Sequence, residues 1–451
     1  MKDILLKGGL VIDPKQQLHT ICNVLLQDGK IKEITEEERT ADLIIDCRNK
    51  VVTPGFIDIH MHEAPYDVTT ETFSGSIFHS MILMGVTTAV GGNCGDNVMD
   101  PAVYLDAVDR QGIPVNLAML VGHTYLRRLF SDADRYTKVD RDTVENMRKE
   151  GKRLLDKGCI GISFGLKYVP GTDSDEIFAL AELCKKDHKL VAAHVRQDVD
   201  GVFSAAQELA EIGRRTKAKV QFSHIGSMGG YGQMQALLQM IEAWRNEGID
   251  MMCDCYPYDA FSTAIGETTY DEGFLQRYHA DYSSVMICSG PHKGQRCTKE
   301  LFDEIRKTYP ETYTVGYFMK KTDIDLALKS DFVMIGSDGV RDGDEGHPRG
   351  AGTYPRVFCQ YVKKDKLSID EAIKKMTWMP AERLGLTNKG NLCRGSDGDV
   401  VVLDMDHIQD KATYENPALA PEGIEYVLIG GQVAAKHGKI LIENAGRSVR
   451  K

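Results

Sequence analysis

The side chains in this sequence that could bind a metal ion are histidine, cysteine and aspartate residues at the ends of short apolar runs. His60 and His62 stand two residues apart, and on a β-strand such side chains point to one face. Four further candidates end later runs: Cys94, His194, His224 and Asp338. Imidazole, thiolate and carboxylate ligands together suit Zn²⁺ best, and other divalent metals stay open.

A zinc ion in such a site would permit hydrolysis of an amide. Zinc lowers the pKa of bound water towards about 7, which yields hydroxide, and it polarises the amide carbonyl. The reaction also needs a group that delivers a proton to the amine, because an amide anion is a poor leaving group. We expect Asp338 to be this proton shuttle; its alternative role is a helix N-cap in the run SDG.

The elements that must position these residues are eight apolar runs of strand length, which alternate with longer amphipathic segments between about Phe56 and Leu386. The runs are FIDIHMH, VTTAVGGNCG, VNLAMLVGH, CIGISFG, LVAAHVR, KVQFSHIG, IDMMCDCYPY and FVMIGSDG. This alternation predicts an α/β fold, a (β/α)8 TIM-like barrel. Chemistry in such barrels lies at the C-terminal ends of the strands, so the candidate ligands would meet at one rim.

Both ends of the chain instead carry short β signals, such as NVLLQDGKIKEI near the start and GIEYVLIGGQVAAKHGKILIE near the end. Neither end has enough strands to bury a face alone, so we expect residues 1–53 and 387–451 to form one small β-sandwich domain. The barrel would occupy residues 54–386. The stretch at about 260–330 is longer than one helix requires, which predicts an insertion or lid beside the barrel mouth.

Composition and charge exclude several classes of protein. The 451 residues are 42% hydrophobic and 27% charged, as in a soluble globular protein. With 55 Lys+Arg against 66 Asp+Glu, the net charge of -11 speaks against nucleic acid as a partner. No long apolar run or secretory signal predicts a membrane segment, and eleven cysteines without regular spacing favour the cytoplasm. A homo-oligomer is compatible with this fold.

Longer motifs surround the candidate ligands. They are GGNCG at 91–95, GHTYLR at 122–127, ISFGLKYVPG at 162–171, CYPYDAFST at 255–263 and GSDGVRDGDEGHPRGAGTYPRV at 336–357. Together with the histidine pattern, these motifs resemble the amidohydrolase superfamily, and within it the N-acyl-D-amino-acid deacylase (D-aminoacylase) branch. The resemblance extends over essentially the whole chain.

This resemblance implies a metal centre in which the thiolate of Cys94 replaces the carboxylated lysine that bridges two metals in many relatives. Cys94, His194 and His224 would hold one tightly bound zinc. A second, weaker position would face the other three candidates: His60, His62 and Asp338. The implied activity is hydrolysis of N-acyl-D-amino acids or related small N-acyl amides by metal-activated hydroxide. The alternative is a cyclic-amide hydrolase of the dihydroorotase or hydantoinase type.

The resemblance also implies contacts with a small-molecule amide substrate. Arg349 and Tyr258 match positions that bind the substrate's α-carboxylate in the family. A guanidinium suits this role because it can donate two parallel hydrogen bonds to one carboxylate. His123 and Tyr168 are expected to line the pocket, with a core or surface role as the alternative for each.

One position departs from the family pattern. Members often carry a lysine two residues after the histidine of the sixth strand, where it helps to hold an anionic substrate, but Gly226 stands here. Lys167 occupies a place usually held by a small or apolar residue. Our hypothesis is that Lys167 supplies the lost charge from the fourth strand. A carboxylated Lys167 that bridges the metals is the alternative.

Overall fold

In the computed structural model, which describes residues 2–451, the chain begins with five strands of one sheet. They are β1 (Ile4–Asp13), β2 (Leu18–Gln27), β3 (Lys30–Thr35), β4 (Leu43–Asp46) and β5 (Val51–Pro54). β1 pairs antiparallel with β2 and parallel with β4 and β5. This N-terminal unit agrees with the β signals of the sequence.

The middle of the chain forms a barrel and a smaller sheet. Its main strands are β6 (Phe56–Asp58), β7 (Val86–Gly91), β8 (Asn116–Gly122), β9 (Gly161–Gly165), β10 (Leu190–His194), β11 (Lys219–Phe222), β12 (Met251–Cys255), β13 (Phe261–Ala264), β14 (Val285–Ile287), β15 (Tyr313–Gly316) and β16 (Val333–Ile335). The strands β6 to β12 and β16 form an eight-stranded parallel sheet in chain order. They coincide with the eight predicted runs, so the predicted α/β barrel is confirmed.

Backbone hydrogen bonds between the first and eighth strand segments close the barrel. The amide of Asp338 donates to the carbonyl of His60 at 2.7 Å, and the amide of His62 donates to the carbonyl of Gly339 at 2.9 Å. These bonds join the segment that carries the HxH pair to the segment that carries the candidate proton shuttle. The closure therefore sets the relative position of both parts of the site.

The described residues contain fourteen α-helices, which lie between and after the strands of this middle part. They are α1 (Ser76–Leu83), α2 (Pro101–Gln111), α3 (His123–Phe130), α4 (Arg141–Asp156), α5 (Ser174–Ala181), α6 (Val202–Thr216), α7 (Ile225–Gly229), α8 (Met234–Asn246), α9 (Phe274–Tyr278), α10 (Lys299–Thr308), α11 (Lys321–Lys329), α12 (Arg349–Val357), α13 (Ile369–Met376) and α14 (Trp378–Leu384). Among them, α2, α4, α6 and α8 coincide with predicted amphipathic segments. None of the helices within residues 2–451 is both long and apolar enough for a membrane crossing.

The stretch between β12 and β16 contains the antiparallel sheet β13-β15-β14 together with α9 and α10. Residues of this stretch, among them Phe261 and Tyr278, line the cavity at the barrel mouth. The extra structure explains why the seventh and eighth runs lie so far apart in the sequence. That it moves as a lid stays a prediction.

The C-terminal strands complete the sheet of the N-terminus. They are β17 (Val400–Leu403), β18 (Ile424–Ile429), β19 (Gln432–Lys436) and β20 (Lys439–Ile440), and β17 pairs antiparallel with β5. Both ends of the chain therefore build one nine-stranded sheet, as expected. In β17, Val400 and Val402 face a core of the sheet's own, whereas Val401 and Leu403 join the core of the barrel. The domain boundaries at 53/54 and 386/387 stay a prediction.

Candidate metal centre and substrate cavity

The structure brings all six ligand candidates to the C-terminal rim of the barrel. They fall into two groups that share Cys94, and within each group one ligand atom from every residue lies within 4.8 Å of the others. The groups are His60, His62, Cys94 and Asp338, and Cys94, His194 and His224. Because both groups include the sulfur of Cys94, this atom could contact a metal ion held by either group.

Cys94 projects from a tight turn, Asn93–Gly95, that follows β7. Its backbone adopts the left-handed region, with φ of 53°. The amide of Gly95 donates to the hydroxyl oxygen of Ser163 at 3.0 Å, and the side-chain amide of Asn93 donates to the carbonyl of Val90 at 2.9 Å. These bonds tie the turn to neighbouring strands, so the thiol is held over the barrel mouth.

The first group contains contacts of metal-ligand spacing. The Sγ of Cys94 lies 3.5 Å from Nε2 of His60. Oδ1 of Asp338 lies 3.1 Å from Nε2 of His62 and 3.4 Å from Nε2 of His60. Ligand atoms 2.0–2.3 Å from a tetrahedral zinc are about 3.3–3.8 Å apart. The four side chains therefore fit a metal position with little movement.

The second group leaves an imidazole free for a metal. Within residues 2–451, neither ring nitrogen of His194 has a hydrogen-bond partner, although the side chain is buried. Burial and the neighbouring His224 lower the pKa of His194 to about 4, so its ring is neutral. The Sγ of Cys94 is 3.4 Å from Nε2 of His224. A neutral, unpartnered imidazole beside a thiol is what a zinc site requires.

The protonation states in this cluster favour a thiolate. Burial alone would raise the pKa of the Cys94 thiol, but the rings of His224 and His60 hold that pKa well below its usual range. Burial likewise opposes the charge on His60, and Asp254 and Cys94 nevertheless raise the pKa of His60 well above its usual value. Because the thiolate is the form that binds metals, Cys94 is prepared to be a ligand.

A cavity of about 700 Å³ opens directly above the two ligand groups. Its lining includes Cys94 and Asp338, and the buried Arg349, the first residue of α12. Nη1 of Arg349 lies 2.8 Å from Oδ2 of Asp338, and its guanidinium stacks over the ring of Tyr256 at 4.8 Å. A fixed cation therefore stands next to the candidate proton shuttle.

Lys167 also lines this cavity and is 8% exposed. Its Nζ lies 2.9 Å from Oδ2 of Asp198. Burial lowers the pKa of Lys167, against the opposing effect of Asp198. The ion pair occupies the amine that carboxylation would have to modify. A Cβ at Gly226 would lie 2.8 Å from Ile324 Cδ1 and 2.9 Å from Cys255 Sγ. A larger side chain at this position would therefore point into the packed interior.

Comparisons with known proteins agree with this geometry. Sequence models described as amidohydrolase family match residues 43–219 and 320–434. An N-acyl-D-glutamate deacylase of Alcaligenes xylosoxydans xylosoxydans is 29% identical over 95% of this chain and 93% of its own length. The chain belongs to the amidohydrolase family. Within that family, it falls in the N-acyl-D-amino-acid deacylase branch.

Two further relatives bear on the branch. The crystal structure of N-acyl-D-glutamate deacylase from Bordetella bronchiseptica, complexed with zinc and a phosphonate mimic of the tetrahedral intermediate, has a TM-score of 0.89 and 27% identity, with 100% of both chains covered. A dihydroorotase of Anaeromyxobacter sp. (strain K) is 45% identical over 97% of this chain and 99% of its own length. Dihydroorotases are nevertheless the weaker matches to this amidohydrolase as a group.

Two predicted substrate residues of this amidohydrolase do not line the cavity. The hydroxyl of Tyr258 lies 3.2 Å from Oδ2 of Asp410, and its ring lies under the guanidinium of Arg356. Nε2 of His123 lies 2.7 Å from Oε1 of Glu176. Both side chains are therefore held by buried partners from distant segments, and their roles in substrate binding stay predictions. Tyr168, by contrast, lines the cavity, and its ring centroid is 4.5 Å from that of His194.

Sequence reasoning missed the aspartate that connects two of the ligands. Asp254 is buried in β12 and lies 3.0 Å from Nδ1 of His60. It also accepts hydrogen bonds from the backbone amide of His224 at 2.7 Å and from Nε2 of Gln221 at 2.8 Å. The available signal was a charged residue inside the apolar run MMCDC, where a carboxylate needs a specific reason to be buried.

A second missed residue, Glu63, supports the cysteine turn. Its buried carboxylate accepts from the backbone amide of Gly92 at 2.7 Å and from that of Val98 at 3.3 Å. Burial raises the pKa of Glu63, and the bond from Gly92 opposes this effect. Glu63 directly follows His62 in the sequence. The chain segment that supplies two candidate ligands therefore also supports the turn that carries a third, Cys94.

Proposed function

We propose that this amidohydrolase is a zinc-dependent deacylase that hydrolyses the amide bond of N-acyl-D-amino acids. The observation that carries the proposal is the buried thiol of Cys94, which is shared by two ligand groups on the floor of a substrate-sized cavity. The similarity to the zinc-bound deacylase structure over the whole chain supports the same reaction.

The residues that would hold the tightly bound zinc are Cys94, His194 and His224. A second, weaker position would use the remaining candidates: His60, His62 and Asp338. Zinc bound here would activate water for attack and polarise the carbonyl of the substrate amide. The neutral ring of His194 and the thiolate form of Cys94 support this assignment because both are ready to bind without losing a proton.

Asp338 is the residue that we propose to carry the proton. Burial would raise the pKa of this carboxyl, but Arg349 and His224 hold it well below its usual range, so it starts as an acceptor. It would take the proton from the attacking water and deliver it to the departing amine nitrogen. Arg349, 2.8 Å away, would bind the α-carboxylate of the substrate and so place the amide beside Asp338.

The second candidate function is ring opening of a cyclic amide, because a dihydroorotase is among the similar proteins. The shared chemistry is the same hydrolysis of a carbon–nitrogen bond. The two functions differ in substrate shape. Residues of the insertion and of the loop after α3 also line the cavity, so there is room beyond the metal groups for an open-chain substrate.

We also infer that the enzyme works in a reducing compartment, the cytoplasm. The eleven cysteines are all free in the structure, and nine of them are buried. A thiolate ligand such as Cys94 must stay reduced to be available for zinc. Blocking of free thiols in intact cells before lysis would test this inference, because a cytoplasmic protein should then carry labelled Cys393 and no disulfide.

The test of the proposed function is an assay on the purified full chain with zinc. We expect release of the free amino acid from N-acetyl-D-amino acids and none from the L-enantiomers or from dihydroorotate. Elemental analysis of the Cys94→Ser variant should show loss of the tightly bound zinc together with activity, since the hydroxyl is a poor replacement for the thiolate. The Cys393→Ser variant is the control and should keep both. Turnover of dihydroorotate alone would reject the proposal in favour of the second candidate.

The role of Asp338 is tested separately with the Asp338→Asn variant. We expect kcat to fall by about 10²–10⁴, the range for loss of a general acid–base group. The zinc held by Cys94, His194 and His224 should remain, because Asp338 is not in that group. Loss of zinc and activity together would show that the residue acts mainly as a ligand.

A further inference from the structure

A buried charge cluster lies on the cavity wall next to the metal groups and takes no part in the proposed mechanism. At its centre is Asp198, 3% exposed, which is 2.9 Å from Nζ of Lys167 and 3.1 Å from Nε of Arg277. The hydroxyl of Tyr278 also donates to this carboxylate. Lys167, Asp198 and Tyr278 all line the cavity.

The charges of this cluster do not balance. Among the residues that the structure describes, Asp198 is the one carboxylate within ion-pair distance of both cations, and of these two side chains Lys167 is 8% exposed whereas Arg277 is 29% exposed. The ammonium of Lys167 has three N–H donors, and Asp198 is the single partner recorded for it within residues 2–451. An uncompensated buried cation is costly unless an anion completes the arrangement. The cavity in front of Lys167 is where such an anion can enter.

The cluster lies close enough to the metal site for one substrate to reach both. Lys167 is adjacent in sequence to Tyr168, whose ring contacts His194. Beside the cluster, Met228 and Phe261 give the cavity an apolar surface that suits methylene groups.

We infer that Lys167 determines specificity by binding a second carboxylate of the substrate. The enzyme then prefers N-acyl-D-amino acids with an acidic side chain. This inference rests on the proposed function, in which Arg349 binds the α-carboxylate. It does not depend on the absent lysine at position 226, because a Cβ there points into packed interior and not into the cavity.

The test compares N-acetyl-D-glutamate with N-acetyl-D-glutamine, which have the same shape and differ in charge. For the wild-type enzyme we expect kcat/KM to be at least about tenfold higher for the glutamate substrate, as for a hydrogen bond to a charged group. In Lys167→Met this ratio should fall by about tenfold or more, through a higher KM for the glutamate substrate. The wild-type ratio needs no variant, so misfolding of Lys167→Met would not remove the test.

Lys138→Met is the matched control, because Lys138 forms an ion pair with Asp173 on the surface and does not line the cavity. It should leave the ratio unchanged. Equal turnover of the two substrates by the wild type, or an unchanged ratio in Lys167→Met, would overturn the inference while the proposed function stands. If the enzyme hydrolyses neither substrate, the proposed function fails. In that case, the affinities of the wild-type protein for N-acetyl-D-glutamate and N-acetyl-D-glutamine, measured by calorimetry, test the role of Lys167 separately. Equal affinities for the two compounds would reject it.

Discussion

At the residue scale, the site depends on a few buried carboxylates that contact the ligands and no substrate. Asp254 shows this most clearly, since it accepts from His60 on the first barrel segment and from His224 and Gln221 on the sixth. A hydrogen bond from Nδ1 of His60 to Asp254 leaves Nε2 free to face Cys94 and a metal. One carboxylate thus sets the orientation of one imidazole and the backbone position of another.

The first prediction concerns this carboxylate. In Asp254→Asn, the side chain keeps its volume but loses the negative charge that orients His60, so the affinity for zinc at the second, weaker position should fall by about 10–100-fold. Competition with a chromophoric chelator measures this affinity. Asp132→Asn, at an exposed aspartate, is the control and should bind zinc as the wild type does. Unchanged zinc affinity in Asp254→Asn would mean that His60 is held by packing alone.

At the element scale, the turn Asn93–Gly95 leaves little room for change. Cys94 has a positive φ, and Gly95 follows it with φ of 83°. A Cβ at Gly95 would lie 2.5 Å from the backbone nitrogen of Gly165 in β9, a distance that real contacts do not reach. The turn therefore approaches the neighbouring strand as closely as backbone atoms allow.

This close approach leads to a prediction for Gly95→Ala. The new methyl group must displace the turn, so the variant should lose zinc and should be destabilised by more than the roughly 1 kcal/mol typical of a left-handed alanine. Gly273→Ala is the matched control. Gly273 has φ of 87°, and none of the described residues has an atom within 4 Å of the place that an alanine methyl group would take there. Thermal unfolding and elemental analysis of both variants measure the difference; equal effects would contradict a steric cause.

The sequence predicts the elements well and the side-chain partners less well. Eight strands were identified because each is buried on both faces and reads as a continuous apolar run, and the ligand candidates stand at the ends of these runs. By contrast, the positions of Tyr258 and His123 depend on Asp410 and Glu176, which are far away in sequence. Local patterns carry no information on such pairs, so only the structure could place these two side chains.

At the scale of the whole molecule, the terminal sheet and the barrel share one apolar core. β17 lies between β5 and β18, and its alternate residues divide between the two cores. Leu403 is fully buried on the barrel side, where Val427 and Ile429 of β18 join the same cluster. Because the ends of the chain meet on this face, unfolding of the sheet would expose part of the barrel's own core.

The last prediction follows from this shared core. In Leu403→Ala, the lost side chain leaves a cavity, and the free energy of unfolding should fall by about 2–5 kcal/mol. Leu441→Ala is the control, because Leu441 is 57% exposed, and it should change that free energy by less than about 0.5 kcal/mol. In urea titrations, loss of deacylase activity and loss of helical circular dichroism should occur together and shift together in Leu403→Ala. If Leu403→Ala shifted neither the helical circular dichroism transition nor the loss of activity, the sheet would unfold independently of the barrel.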